Sequence, residues 1–126
     1  MIIHVKKREL NPKNHALTKE LEESLERLYV AVNCLRTFCG VPFQITSGLR
    51  SKKEQEHINP KHMGSAHLLG LACDIYDPDG KIWDWCISNI PTLEKLSIYL
   101  EDRKATPTWV HVQLLAPRSG KRIFLP

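Results

Sequence analysis

The chain of 126 residues is 42% apolar and 25% charged, the make-up of one ordinary globular domain, which excludes a two-domain enzyme and wholesale disorder. Its net charge of +4 favours an anionic partner without requiring nucleic acid. No apolar run approaches the roughly 18 residues a membrane span needs, and Met1-Ile2-Ile3 ahead of Lys6-Lys7-Arg8 reverses the order of a signal peptide; a cytoplasmic chain with no membrane partner is expected.

The first element is a long helix. Leu17, Leu21, Leu25, Leu28, Val32, Leu35 and Cys39 recur at steps of four and three, while Lys19, Glu20, Glu22, Glu23, Glu26 and Arg27 fill the opposite face. Asn11-Pro12 or Asn14 is expected to open it, and Gly40 followed by Pro42 to close it. Phe43-Gln44-Ile45-Thr46-Ser47 then alternates as a short strand ending at Gly48, which puts Arg50 at a strand exit. Residues 51–66 are polar, with Asn59-Pro60 and Gly64 as breakers, and read as a mobile loop with about one helical turn.

A second strand is expected over 72–76, closed by Asp77-Pro78-Asp79-Gly80, and a short helix over 81–89. Residues 96–101 and 109–115 read as a hairpin, and 121–125 as an edge strand that Pro126 cannot extend. The four cysteines, Cys34, Cys39, Cys73 and Cys86, lack the two-residue spacing of a zinc knuckle or redox pair and read as thiols packed like small apolar residues. Residues 1–126 therefore form a single α+β domain: one long N-terminal helix packed on a mainly antiparallel sheet, with loops gathered near His67.

Three side chains at turn or strand positions suit a divalent ion: His67, Asp74 and His111. Two imidazoles and one carboxylate leave the fourth place of a tetrahedral zinc for water, the arrangement of a catalytic site, and one anionic ligand leaves the ion cationic enough to acidify that water. The trio alone has low specificity. Its surroundings add more: Ser65-Ala66-His67-Leu68-Leu69-Gly70-Leu71-Ala72-Cys73-Asp74-Ile75 resembles the zinc signature of the D-alanyl-D-alanine carboxypeptidase-like peptidases, a family that includes phage endolysins cutting the L-alanyl-D-glutamate bond. Thr108-Trp109-Val110-His111-Val112-Gln113 is similar to the strand carrying the family's third ligand, and Ile45-Thr46-Ser47-Gly48-Leu49-Arg50-Ser51 to its strand ending in an arginine.

The resemblance covers about residues 43–115 and implies a Hedgehog/D-Ala-D-Ala-peptidase-like fold with Zn²⁺ on His67, Asp74 and His111. It gives Arg50 the substrate's carboxylate or scissile carbonyl, for which a forked guanidinium is suited. Ser65 becomes a substrate-side or supporting hydrogen-bonding group, although a loop serine capping its own turn explains it equally. Period-two alternation puts Ala72 and Asp74 on one strand face and Cys73 and Ile75 on the other, so Cys73 is core and not a ligand.

The sequence departs from the pattern at the general base. Many family members carry a glutamate three residues before the last ligand, where this chain has Thr108, which cannot accept a proton at neutral pH. Glu101 is the nearest substitute, because a hairpin would return it beside His111; Asp102 is the fallback, and a site without a base is the third option. Trp109, beside a ligand, is expected to line the cleft, whereas Trp83 and Trp85 read as packing. His4 and His15 read as solvated, and His57 and His62 as loop residues.

The resemblance implies a zinc metallopeptidase, a hydrolase that degrades cell wall by cutting a peptidoglycan stem-peptide bond, L-alanyl-D-glutamate or D-alanyl-D-alanine, through metal-activated water, and a monomer is expected. The expected setting is a phage endolysin or virion-associated lysin that reaches the wall after release, with a bacterial carboxypeptidase as the other source. Two other classes stay open: a non-catalytic zinc-binding domain of the same fold, as in Hedgehog signalling domains, and a basic virion structural or binding protein without metal.

Overall fold

Alternating apolar and polar residues build the sheet, and the computed structural model, which describes residues 4–62 and 64–126, sets the alternating segments side by side. The strands β1 (Ile45–Ser47), β2 (Ala72–Tyr76), β3 (Tyr99–Glu101), β4 (Trp109–Gln113) and β5 (Ile123–Phe124) lie in the order β1-β2-β4-β3-β5. Neighbours run antiparallel except β5, which lies parallel to β3 at the edge. The run Met1-Ile2-Ile3, on which the export reading partly rested, and the side chain of His62 lie outside the described residues. Among the described residues no helix is long and apolar enough to cross a membrane.

The long helix is α2 (Lys19–Cys39). Its stripe buries Leu25, Leu28, Val32 and Leu35 in the same core as Cys73 and Ile75 of β2, Leu100 of β3 and Val110 and Val112 of β4. Each such aliphatic side chain contributes about 1.5–3 kcal/mol on burial. Gly40 caps its C-terminus in the left-handed region, as expected, but the N-cap is Thr18, whose Oγ1 accepts from the Leu21 N–H at 3.2 Å. Neither Asn11 nor Asn14 opens the helix: the Asn11 side chain accepts from the His15 N–H and closes a local turn, and Asn14 is itself left-handed.

The long helix is not the N-terminal one. A four-residue helix, α1 (Lys7–Leu10), precedes it, and Leu10 is buried in the core with Val5. The α1 backbone meets the exit of β1 so closely that a Cβ on Gly48 would stand 2.4 Å from the Leu10 carbonyl oxygen, which accepts from the Leu49 N–H.

The described part of 51–66 holds more helix than the single turn expected. It contains α3 (Lys52–Ile58) and a short 3₁₀ turn, Pro60–His62. Ser51 Oγ accepts from the Glu54 N–H while Glu54 accepts from the Ser51 N–H, a reciprocal cap whose Ser-x-x-Glu spacing was present in the sequence. Beyond β2, α4 (Lys81–Ile87) forms as expected, and an unexpected helix, α5 (Ile90–Lys95), starts with Pro91 in its first turn, leaving a strand shorter than 96–101.

Candidate metal centre

One face of the sheet supplies half of the site. In β2 the side chains of Cys73 and Ile75 enter the core and Asp74 points the other way; in β4, Val110 and Val112 enter the core and His111 points away. The register sets Asp74 directly opposite His111, a spacing at which side chains touch. β3 pairs Tyr99 with Gln113 and Leu100 with Val112, so its next residue, Glu101, arrives beside His111. The expected hairpin therefore does bring Glu101 to the cleft, with its Oε2 3.8 Å from His111 Nδ1. Asp102 instead accepts from the Lys104 N–H in a turn and is not among the cleft-lining residues.

The other half comes from connecting segments. His67 sits in the 3₁₀ turn Ala66–Leu69, opened by Ser65, whose Oγ accepts from the His67 N–H, and closed by Gly70 in the left-handed region. Ser65 thus caps its own turn and also lines the cleft. Gly70 faces Leu25 of α2, which a Cβ there would approach to 3.3 Å, so the turn is seated on the long helix.

His67 Nε2 and His111 Nδ1 both face Asp74 Oδ1, and the three residues, all buried, offer ligand atoms within 4.8 Å of one another. The distances to Asp74 Oδ1 are 3.4 Å from His67 and 2.9 Å from His111. Ligand atoms at about 2.1 Å from a tetrahedral zinc stand about 3.4 Å apart, so the trio needs only small adjustment.

The outer nitrogens turn both rings as a bound cation would require. His67 Nδ1 donates to the Gly48 carbonyl at 2.8 Å, which leaves the Nε2 of a neutral ring as a lone pair facing the carboxylate. His111 Nε2 donates to Gln113 Oε1 at 2.7 Å; the Gln113 amide is fixed because its Nε2 donates to the Leu115 carbonyl, so in a neutral ring Nδ1 of His111 also presents a lone pair inward, 2.9 Å from Asp74 Oδ1, to which a protonated ring donates instead. Two lone pairs and a carboxylate converging in a buried site repel unless a proton or a metal ion lies between them. Burial pushes the Asp74 carboxyl up, but the His111 and His67 contacts outweigh it and hold it well below the usual range. Burial likewise pushes His111 down, and the Asp74 contact outweighs it, leaving the ring more basic than usual.

Arg50 completes the cluster from the exit of β1. Nη2 reaches Asp74 Oδ2 at 3.4 Å, Nε donates to Ser47 Oγ at 3.1 Å, and Nη1 donates to Gln55 Oε1 at 3.0 Å. These contacts use three of the five guanidinium N–H groups, leaving two for a ligand. Ser47 is brought level with Asp74 by an irregularity in β1, and Gln55 is buried on α3. Trp109 is half-buried and lines the cleft, a hollow of about 860 Å³, while Trp83 and Trp85 pack against the core. Cys73 is fully buried on the core side, and burial raises its thiol far above the ordinary range.

The sequence reading missed Gln113, Gln55 and Ser47, which hold His111 and Arg50. Gln113 had a signal, since it lies two residues beyond His111 on the same strand face. His15, expected to be solvated, is half-buried with Nε2 2.5 Å from Glu54. A scan against protein-family models and searches of curated proteins and solved structures return no match for this chain.

Proposed function

We propose that the chain is a zinc-dependent peptidase of the D-alanyl-D-alanine carboxypeptidase-like type, acting on a peptidoglycan stem peptide. The observation that carries the reading is the convergence of His67 Nε2, Asp74 Oδ1 and His111 Nδ1, each imidazole turned by an outer hydrogen bond so that its lone pair faces inward. The three motifs that resemble the family fall at that convergence. A divalent ion held by three protein ligands supplies an acidified water and polarises a carbonyl.

The chain's own residues do the rest. Glu101, at the edge of the trio, accepts the proton of the attacking water and delivers it to the leaving amine as the C–N bond breaks. Arg50 directs its two uncommitted N–H groups at a substrate carboxylate or the scissile carbonyl, pinned meanwhile by Ser47, Gln55 and Asp74. Trp109 and Ser65 line the walls beside the bond.

A second reading, a non-catalytic zinc domain of the same fold, is favoured by Thr108 standing where the family's base is common. One experiment separates them: zinc-loaded protein on purified muropeptides, with products identified by mass spectrometry. Cleavage of one stem-peptide bond is expected, with Glu101→Gln keeping its zinc and losing about 10²–10⁴-fold in rate. Stoichiometric zinc with no bond cut would leave the non-catalytic reading, and a chain that takes up no zinc would sink both.

A further inference from the structure

Phe124 is buried, yet it packs outside the apolar cluster that α2 forms with the inner face of the sheet. Its neighbour Ile123 packs against that cluster, so strand alternation turns Phe124 to the open face, where it lines the cleft. In the sheet β3 lies between β5 and β4, which sets the β5 and β4 backbones about 10 Å apart. The Phe124 ring crosses that interval: its centroid lies 6.3 Å from that of the His111 imidazole, with the two planes at 83°. Glu101 is the residue of β3 in register with Phe124, so the ring reaches His111 across the position of the proposed base. The His111 imidazole thus meets two rings, since His67 stands 5.1 Å from it at 65°.

Near-perpendicular ring pairs at such distances attract one another in a way that depends on orientation. Gln113 decides which nitrogen of His111 faces inward, but one hydrogen bond at Nε2 fixes a direction and not a plane. The strand that carries Phe124 has its own hold on β3. The Leu100 N–H donates to the Arg122 carbonyl at 2.8 Å and the Asp102 N–H to the Phe124 carbonyl at 2.7 Å. The Arg122 side chain adds to these: Nη1 donates to the Ile98 carbonyl at 3.1 Å, and the guanidinium lies 4.3 Å from the centre of the Tyr99 ring. We infer that Phe124 is a positioning residue of the candidate metal centre, its ring fixing the plane of the His111 imidazole, and that Arg122 holds β5 in the register that places it there. The inference rests on the metal reading of His67, Asp74 and His111 and on no substrate. An aliphatic side chain at 124 would exclude the same water without fixing that plane, which separates the role of the ring from that of its bulk.

The test uses the full chain, with zinc affinity read by chelator competition and the geometry of the centre by the visible spectrum of bound cobalt. Phe124→Leu should weaken zinc about tenfold and alter the cobalt spectrum, with the far-ultraviolet circular dichroism unchanged. Phe124→Tyr restores a ring and should return both readouts to native values. Arg122→Met should weaken zinc about 2–5-fold, whereas Lys121→Met, exposed beside it, should not. Because Arg122 is argued to act through Phe124, the double variant Arg122→Met/Phe124→Leu should bind zinc no more weakly than Phe124→Leu alone. Native affinity in Phe124→Leu, or a loss that Phe124→Tyr fails to rescue, overturns the role of the ring. Additive losses in the double variant overturn the role of Arg122. A measurement on the zinc-free native chain needs no variant: nuclear Overhauser contacts between the Phe124 and His111 ring protons are expected, and their absence overturns the packing on which the inference stands. Those contacts in a native chain that takes up no zinc would overturn the metal reading, and the positioning role with it, while leaving Phe124 as packing.

Discussion

The two halves of the candidate metal centre are held by different physics. Asp74, His111 and Glu101 stand on neighbouring strands, where the ladder and the side-chain period of two fix both face and register; a shift by one residue would send all three into the core. His67 and Arg50 stand on a 3₁₀ turn and a strand exit, held by a serine cap, a buried glutamine, and the close approach of Gly48 to α1. A sheet distributes its hold over many bonds, whereas a turn concentrates it in a few, so single changes should damage the second half more selectively than the first.

The largest effect falls where the halves meet. Asp74 touches His67, His111 and Arg50, so Asp74→Ala should abolish stoichiometric zinc and release the guanidinium together. Metal analysis after dialysis checks it, and one zinc per chain in that variant would break the claim that the halves share this carboxylate. Next comes Gly48→Ala. The added methyl meets backbone at 2.4 Å, which cannot swing aside, so stability to urea should fall by about 2–3 kcal/mol. A shift near zero would mean that α1 is free to move away from the strand exit.

A smaller effect tests the sheet half alone. Gln113→Leu removes the acceptor that turns the His111 lone pair inward while leaving the strand intact. Zinc affinity, read by chelator competition, should weaken about 10–100-fold with the far-ultraviolet circular dichroism unchanged. Unaltered affinity would show that strand pairing by itself orients the ring.

The same contrast explains what could be read in advance. Alternation and motif spacing place Asp74, His111 and Cys73 on their correct faces, because period two is a local property of the chain. The hairpin return of Glu101 is legible for the same reason, although a ten-residue separation hides it from any spacing rule. The loop half is less legible. That Gln55 is buried and aimed at Arg50 depends on where α3 packs, and that Gly48 is pressed on Leu10 depends on α1, whose one-turn amphipathic pattern is too short to detect. α3 is the exception: Ser51 and Glu54 announce its start, but polar composition outweighed the cap in the reading of 51–66 as a loop.

The smallest expected effect isolates the anchor of α3. Glu54 is held at about 2, below its ordinary value near 4.5, first by the Lys13 ammonium and then by the Ser51 N–H, with His15 adding to them. A carboxyl depressed in the folded state lends stability that is fully present above the ordinary value and is lost as pH falls through the folded one. The stability difference between the native chain and Glu54→Gln should therefore shrink on acidification from pH 4.5 toward 2 and stay flat above that window. It should be modest and shrink further in salt, because Lys13 is exposed. Protection factors of the α3 amides in the native chain, with the pH dependence of intrinsic exchange divided out, should fall over the same interval, ahead of those of β2 and β4. Synchronous exchange of helix and sheet would mean that the turn half is tied into the same cooperative unit as the strands, and the contrast between the two halves would then apply to geometry and not to stability.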